Sequence, residues 1–260
     1  MSASAGTLAE FHTVFGDIGV ELFDQEKPVS VENFKKYVEG GLYQNMFFHR
    51  WISGFVVQGG GFSIKNRGAT NAAIADVPTL GNITNETHFG PLESNQYGTI
   101  AMARSTDANS ASSQFYFNLG DNSSLDTAAN GGYAVFGKMV YGSNVLNRFV
   151  ATGKGVFHYT FNSPFEDLPA ISTNTPNFNN LQELVFVDVS LLTAQIHLTR
   201  GGRLISWNSA TGIVNRVEFS TNAPPQWQTL TNVDGTGSTM QIVDIAATNQ
   251  FRFYRVTVAH

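Results

Sequence analysis

The stretch FFHRWISGFVVQGGGF, residues 47–62, places one arginine and one glutamine in an otherwise apolar, strand-like segment that ends in three glycines. A buried guanidinium group is unfavourable unless acceptors meet its N–H donors. The stretch alone therefore leaves two interpretations of Arg50. It is either a structural cation paired with Gln58 or with backbone carbonyls, or a cation that faces a ligand.

The composition of the 260-residue chain argues against several classes of function. Charged residues make up 13% of the chain, the net charge is −5, and Lys and Arg form no cluster. Binding to a nucleic acid or to an anionic membrane surface is therefore not expected. No apolar run approaches the roughly 20 residues of a membrane-spanning helix. The absence of cysteine excludes disulfides, thiolate catalysis and Cys-ligated zinc.

The pattern along the chain predicts many short strands and few helices. The quoted stretch is expected to form two strands, after a hairpin over 10–24 and a helix that begins at Pro28. A second short helix is predicted over 143–152, capped by Ser143. Further strands are predicted at 98–105, 113–120, 133–142 and 184–192. Loops are expected at 63–96 and 157–180. This pattern is typical of a closed β-barrel, which leaves no free strand edges.

The composition changes near residue 195. From there, short alternating segments are separated by turn sequences such as NSATG and NVDGTGS, about one turn for every dozen residues. This spacing is typical of a small β-sandwich. We therefore predict a linker over 193–202 and a second, all-β domain over 203–260.

The motifs of covalent and metal-dependent catalysis are missing from the sequence. There is no G-x-S-x-G nucleophile elbow and no H-E-x-x-H pair, and the glycines at 59–61 do not open a helix as a dinucleotide fingerprint would. We therefore predict a non-covalent site without a metal ion or a cofactor.

Four blocks of sequence carry a family resemblance. The quoted stretch has the spacing F-H-R-x(4)-F-x-x-Q-G-G. The other blocks, in collinear order with it, are FGDIGVELFDQEKPVSVENFKKYVEGGLY, GTIAMARSTDANSASSQFYFNL and LDTAANGGYAVFGKMVYGSNVL. Together they resemble the cyclophilin-type peptidyl-prolyl isomerases, in the form that bacterial members show, over about residues 8–192. The resemblance implies a mainly β fold: an eight-stranded antiparallel barrel capped by two helices over 8–192, with the small β-sandwich-like module appended.

The resemblance also implies a function and a site. The protein would be a peptidyl-prolyl cis-trans isomerase that acts on X-Pro bonds of peptides and unfolded protein chains. The residues implied in catalysis are Arg50, Phe55 and Gln58. The residues implied in substrate binding are His49, Val56, Ala103, Arg104, Gln114, Tyr116, Leu125 and Tyr133. A module that binds proline-containing peptides with little turnover is the alternative, although binding alone would not require the arginine.

The reaction suits these residue types. Amide resonance opposes rotation about the X-Pro bond with a barrier of about 18–20 kcal/mol, and no covalent bond has to break. Twisting restores the lone pair of the prolyl nitrogen, which a fixed cationic donor can hydrogen-bond. Arg50 can supply that donor without deprotonating. Apolar side chains, among them Phe55 and Leu125, would hold the pyrrolidine ring while the other side of the bond rotates.

Departures from the family pattern carry further expectations. Ser124 stands where many members have Trp, which predicts weakened binding of the cyclic peptide cyclosporin. Val56, Tyr116 and Tyr133 replace the commoner Met, Phe and His.

The stretch MSASAGTLAEF contains no signal peptide. Because the second domain loosely resembles β-modules of secreted bacterial proteins, a periplasmic or secreted location is favoured.

Overall fold

The structure, a computed structural model, separates into two compact units. One comprises Ala9–Ser190, and the other contains the chain from Leu191 onward. The described residues are 7–127, 131–172, 181–192, 195–199, 201–209, 213–222, 225–247 and 251–258.

The larger unit is built mainly of strands. In chain order they are β1 (Leu8–Thr13), β2 (Gly16–Leu22), β3 (Met46–Phe47), β4 (Arg50–Ile52), β5 (Val56–Gly59), β6 (Phe62–Lys65), β7 (Ala73–Asp76), β8 (Thr99–Met102), β9 (Phe115–Asn118), β10 (Val135–Tyr141), β11 (Phe157–Tyr159), β12 (Leu168–Ala170) and β13 (Phe186–Leu191). Helix α1 spans Pro28–Glu39 and helix α2 spans Ser143–Val150.

The main sheet curls into a barrel. Its strand order is β4-β5-β9-β8-β10-β2-β1-β13-β3-β6-β7. Because β3 runs into β4 and β5 runs into β6, the two ends of this order are joined along the chain. Counting each of these pairs as one strand, and β7 as an extension of the β6 edge, gives the eight strands of the predicted barrel. The predicted mainly β fold with two helices is confirmed.

A glycine allows the break between β5 and β6. Gly60 has φ +80°, and a Cβ on it would lie 2.3 Å from the carbonyl oxygen of Ser113. No other residue fits this position without moving the backbone of the neighbouring strand. The run of glycines in the quoted stretch thus lets one long strand bend around the barrel.

Aromatic side chains fill the barrel. Phe11, Phe34, Phe115 and Phe117 are fully buried, with ring centroids of neighbouring pairs 5.0 to 6.4 Å apart. Phe34 lies on α1, so this helix covers one end of the barrel. Tilted and edge-on ring pairs of this kind add to the free energy gained from burying the rings.

The structure corrects the predicted start of α2. The residue before the helix is Gly142, with φ +93°, and Ser143 is the first helical residue and makes no capping hydrogen bond. A Cβ on Gly142 would lie 2.4 Å from the carbonyl oxygen of Asp17. The close approach of β2 therefore decides how α2 begins, and the prediction of a Ser143 cap is wrong.

Three short strands, β7, β11 and β12, lie wholly within the predicted loops, and the last three residues of β6 extend into the first of these loops. β7 pairs with β6, and β11 pairs with β12. Each has only three or four residues, too few for a clear alternation of apolar and polar side chains. The β11–β12 pair bears on the site, because its far end brings Asp167 next to β4.

The smaller unit is a β-sandwich. Its strands are β14 (Gln195–Thr199), β15 (Gly202–Asn208), β16 (Val214–Ser220), β17 (Gln228–Asp234), β18 (Thr239–Asp244) and β19 (Phe253–Val258). They form the sheets β14-β15-β18 and β17-β16-β19. Ile205 and Trp207 of one sheet pack with Val217 of the other in a shared core. The predicted sandwich-like module is confirmed.

The predicted linker over 193–202 is wrong in its central part. Gln195–Thr199 forms β14, which pairs with β15 along its whole length. Residues 193–194 and 200 lie outside the described residues. Among all the residues that the structure describes, no helix is long and apolar enough to cross a membrane.

Candidate active site

Strand pairing places two of the three predicted catalytic residues, Arg50 and Gln58, in one row. Arg50 on β4 is opposite Gln58 on β5, Gln58 is opposite Tyr116 on β9, and Tyr116 is opposite Ala101 on β8. Directly paired residues on neighbouring strands point to the same face of a sheet. The turn at Gly54 therefore preserves the alternation on which the sequence prediction depends, and the four side chains share one face.

This face is the outside of the barrel. Phe115 and Phe117, on either side of Tyr116 in β9, pack with Phe11 inside the barrel. Since successive residues of a strand point to opposite faces, Tyr116 points outward, and so does the row that contains Arg50. The side chain of Arg50 is 38% exposed. A cation in this position can reach a ligand on the barrel surface.

An apolar cluster shares Ala101 and Tyr116 with the row. Its buried members are Val56, Ala101, Tyr116 and Val135. Partly buried side chains packed against them include Phe55, Ala103, Leu125 and Tyr133. The predicted apolar residues of the proline pocket thus lie together, on the same face as Arg50. The row and this cluster together are termed the outer site.

Two glutamines form a polar contact beside Arg50. The Gln58 side-chain amide donates from Nε2 to Oε1 of Gln114 at 2.7 Å. Both side chains are half-buried. Gln58 uses its N–H donor in this contact and keeps its own Oε1 as an acceptor facing the site.

His49 is buried beside the outer site. It is 4% exposed, and its ring packs edge-on against Phe62 with centroids 5.1 Å apart. Burial lowers the pKa of His49 to about 4; the Gln114 side chain opposes this shift and the Arg50 charge adds to it. The ring is therefore neutral near pH 7. The His49 ring lies beside the Gln114 side chain, since both surround Gly61, so its predicted role in substrate binding stays a prediction.

The backbone at 103–104 is only partly available to a substrate. The N–H of Ala103 donates to the carbonyl oxygen of Gln114 at 2.9 Å. A peptide cannot use this N–H, so the prediction for Ala103 is restricted to its carbonyl group. The Arg104 guanidinium lies 4.3 Å from the ring centroid of Tyr133 and donates from Nε to the Gly132 carbonyl. This contact holds the Tyr133 ring at the edge of the outer site.

A buried polar network beneath the apolar cluster was not predicted. The Tyr116 hydroxyl donates to Oδ1 of Asn95 at 2.8 Å, and burial raises the pKa of Tyr116 well above its usual value. The Asn95 amide donates from Nδ2 to Asp126 and to the Tyr133 carbonyl. Asn95 is fully buried. The replacement of the usual Phe by Tyr116 was a usable signal, since a buried hydroxyl group requires a partner.

The ion-pair partner of Arg50 was also not predicted. Oδ2 of Asp167 lies 3.8 Å from Nε of Arg50, and both side chains are more than one third exposed. Asp167 belongs to the segment 157–180 that the sequence predicts as a loop. No local pattern marks this residue. The pair leaves Arg50 at the surface, so it does not bury the cation away from ligands.

Ser124 lies at the edge of the outer site. It is exposed and stands in the middle of a 3-10 helix, Ser123–Leu125, whose last residue packs on the apolar cluster. The edge of the outer site at this point is therefore formed by a small polar side chain.

The sequence of the chain is similar to those of known proteins. The sequence pattern of the family described as cyclophilin type peptidyl-prolyl cis-trans isomerase/CLD matches residues 8–159, more than half of the chain. The chain is 35% identical over 178 residues to a peptidyl-prolyl cis-trans isomerase of Acinetobacter baylyi, which covers 68% of this chain and 89% of that protein. It is 38% identical over 157 residues to peptidyl-prolyl cis-trans isomerase B of Escherichia coli. This match covers 58% of this chain and 90% of that protein.

A solved structure is similar as well. The crystal structure of a cyclophilin-type isomerase of Cryptosporidium parvum aligns with a TM-score of 0.48 and 23% identity, over 74% of this chain and 98% of that one. The sequence comparisons are the stronger finding. The chain belongs to the cyclophilin-type peptidyl-prolyl cis-trans isomerase family.

Proposed function

We propose that this peptidyl-prolyl cis-trans isomerase catalyses rotation about X-Pro bonds at the outer site, with Arg50 as the catalytic cation. The observation that carries the proposal is the row in which Arg50 and Gln58 stand beside the apolar cluster on the outside of the barrel. A proline ring can lie on the apolar side of this site while the preceding carbonyl group lies on the polar side.

The reaction needs a site that holds the twisted bond better than either planar form. In the proposed mechanism, Phe55 and Leu125 hold the pyrrolidine ring, and the guanidinium of Arg50 donates to the prolyl nitrogen as its lone pair returns. The Gln58–Gln114 pair holds the substrate backbone beside it. No proton is transferred in this reaction. The neutral, buried His49 agrees with that, since it is neither charged nor exposed.

The substrates that suit this site are extended, proline-containing segments. The site lies on an outer face rather than in an enclosed cavity, so a chain can cross it without its ends being threaded through. We therefore propose that unfolded protein chains, as well as short peptides, are substrates.

Isomerisation of an Ala-Pro peptide tests the proposal. Uncatalysed exchange takes tens to hundreds of seconds. With catalytic amounts of the protein, two-dimensional exchange NMR should show cis and trans signals that interconvert at least about tenfold faster. Binding of the peptide without faster exchange would favour a proline-peptide binding module instead.

Cyclosporin should bind weakly to the outer site. The exposed Ser124 offers little apolar surface at the wall beside Leu125. Ser124→Trp should lower the cyclosporin concentration for half-inhibition by at least about tenfold, because a tryptophan there adds buried apolar area. Ser123→Trp, at the neighbouring exposed position, is the control. Equal inhibition of the wild type and Ser124→Trp would contradict the proposal.

We also propose a periplasmic or secreted location. Its support is the loose resemblance of the second domain to β-modules of secreted bacterial proteins. Fractionation of the native cells with an antibody against the chain tests it, and detection in the cytoplasmic fraction alone would overturn it.

A further inference from the structure

The backbone at Asp167 is held in place by its buried sequence neighbours and by a hydrogen bond to β4. Phe165 and Leu168, its near neighbours, are buried in a core cluster with Phe47 of β3. The backbone carbonyl of Asp167 accepts the N–H of Trp51 at 2.7 Å. The position of this residue beside β4 is thus fixed by packing and by a backbone hydrogen bond, neither of which depends on its own side chain.

The carboxylate meets the catalytic cation from one side. Oδ2 lies 3.8 Å from Nε of Arg50, while Oδ1 lies 3.2 Å from Nε2 of His158 on β11. Contact through Nε leaves the two terminal guanidinium nitrogens, which carry four of the five N–H donors, for a substrate. Asp167 thus meets the arginine on the Nε side, and the terminal nitrogens take no part in this contact.

We infer that Asp167 is a positioning residue for Arg50. An arginine side chain has high rotamer entropy, and an exposed one has to give it up when it meets a substrate. A fixed carboxylate at Nε restricts these rotamers before the substrate binds. Less side-chain entropy is then lost in reaching the transition state, so the activation free energy of the rotation is lower. The inference rests on the proposed role of Arg50, and it extends the site to the β11–β12 pair.

Steady-state kinetics of Asp167→Asn test the inference. The variant keeps the shape of the side chain and the backbone contact with Trp51, but it lacks the negative charge. We expect kcat/KM for an Ala-Pro peptide to fall roughly tenfold through kcat, with peptide affinity changed little. Asp167→Glu should restore part of the loss. Glu166→Gln, which removes the same charge from an exposed neighbouring residue, should behave as the wild type.

A double-mutant cycle decides whether Asp167 acts through the arginine. In an Arg50→Ala background, Asp167→Asn should cause no further loss. A further loss there would overturn the inference, and so would Asp167→Asn activity equal to or above that of the wild type. The latter result would mean that the carboxylate withholds the cation from substrate. If Arg50→Ala itself kept full activity, the proposed role of Arg50 would fail instead.

A measurement on the unchanged protein covers the case in which Asp167→Asn does not fold. NMR relaxation of the Arg50 Nε–H group should show a side chain nearly as ordered as the backbone. A freely reorienting Nε–H group would contradict the inference.

Discussion

Neighbouring residues at the site have opposite surroundings. Arg50 points outward and is more than one third exposed, whereas His49 is 4% exposed and neutral near pH 7. Arg50 begins β4, whereas His49 lies in the short segment between β3 and β4 and packs against Phe62. The charge of Arg50 is thus at the surface, where the proposed reaction would use it, while the His49 ring is buried beside it.

The buried His49 makes stability depend on pH in a defined window. Its pKa falls from 6.5 to about 4 on folding. Between these values the unfolded chain binds a proton that the folded protein does not, so the stabilisation is complete above pH 6.5 and is lost as the pH falls toward 4. We expect this residue to lower the free energy of unfolding by up to roughly 3 kcal/mol over that window.

Urea unfolding between pH 7 and pH 4 checks this prediction. His49→Gln cannot take up the proton, so its free energy of unfolding should vary less steeply with pH than that of the wild type. His88→Gln, at an exposed position, should leave the dependence unchanged. Equal slopes for the wild type and His49→Gln would contradict the assignment.

The family resemblance was sufficient to predict which side chains gather at the outer site, but not all their surroundings. Arg50, Gln58 and the apolar residues lie together because regular strand pairing carries sequence spacing into space. The partners Asn95 and Asp167 come from irregular segments that no periodic pattern marks. Their positions depend on long-range packing, which sequence spacing does not encode.

At the scale of secondary-structure elements, helix α1 shows the same limit. The sequence predicts its start at Pro28, which is confirmed, and the helix ends at Glu39, just before Gly40. Its N-terminal N–H groups, however, are satisfied from a distant loop. The Glu86 carboxylate accepts the N–H groups of Val29 at 2.9 Å and Ser30 at 2.7 Å. A cap that comes from more than fifty residues away has no local sequence signal.

The buried Lys27 fixes the same loop. Its ammonium group donates to the carbonyl oxygens of Glu86 at 2.9 Å and Pro91 at 3.1 Å, among others. Burial lowers the pKa of Lys27, and the charge of Glu86 opposes this shift. Two sets of contacts therefore hold the loop on α1. The Lys27 side chain binds backbone carbonyl groups of the loop, and the Glu86 side chain binds backbone N–H groups of the helix.

Glu86→Gln should therefore destabilise the barrel. The substituted amide turns one acceptor into a donor that faces a backbone N–H, and we expect the free energy of unfolding to fall by about 1–3 kcal/mol. Chemical denaturation measures this change. Glu32→Gln, an exposed position on the same helix that pairs with Lys36, should cost less than about 0.5 kcal/mol. A loss for Glu86→Gln no larger than that of the control would contradict the distant cap.

At the scale of the whole molecule, the residues of the outer site and Asp167 all lie in the unit Ala9–Ser190. This unit has its own aromatic core, and the smaller unit has a separate one around Trp207. Each therefore has the apolar interior that a domain needs to fold.

A chain that ends at Leu192 should consequently remain an active isomerase. We expect its kcat/KM for a short peptide to stay within about twofold of the full chain, with a single cooperative unfolding transition. Side-by-side assays of the two proteins check this. A tenfold or greater loss of kcat/KM in a folded, truncated chain would show that the second domain contributes to catalysis.

The central claim is that a fixed guanidinium beside an apolar cluster stabilises the twisted X-Pro bond. The most direct test is exchange NMR of an Ala-Pro peptide with the wild type, Arg50→Lys and Arg50→Ala, together with peptide affinity and thermal unfolding for each. The account predicts that Arg50→Ala slows catalysed exchange by at least about a hundredfold, with the fold and peptide binding nearly unchanged and Arg50→Lys in between. Wild-type exchange rates in a folded Arg50→Ala variant would contradict it.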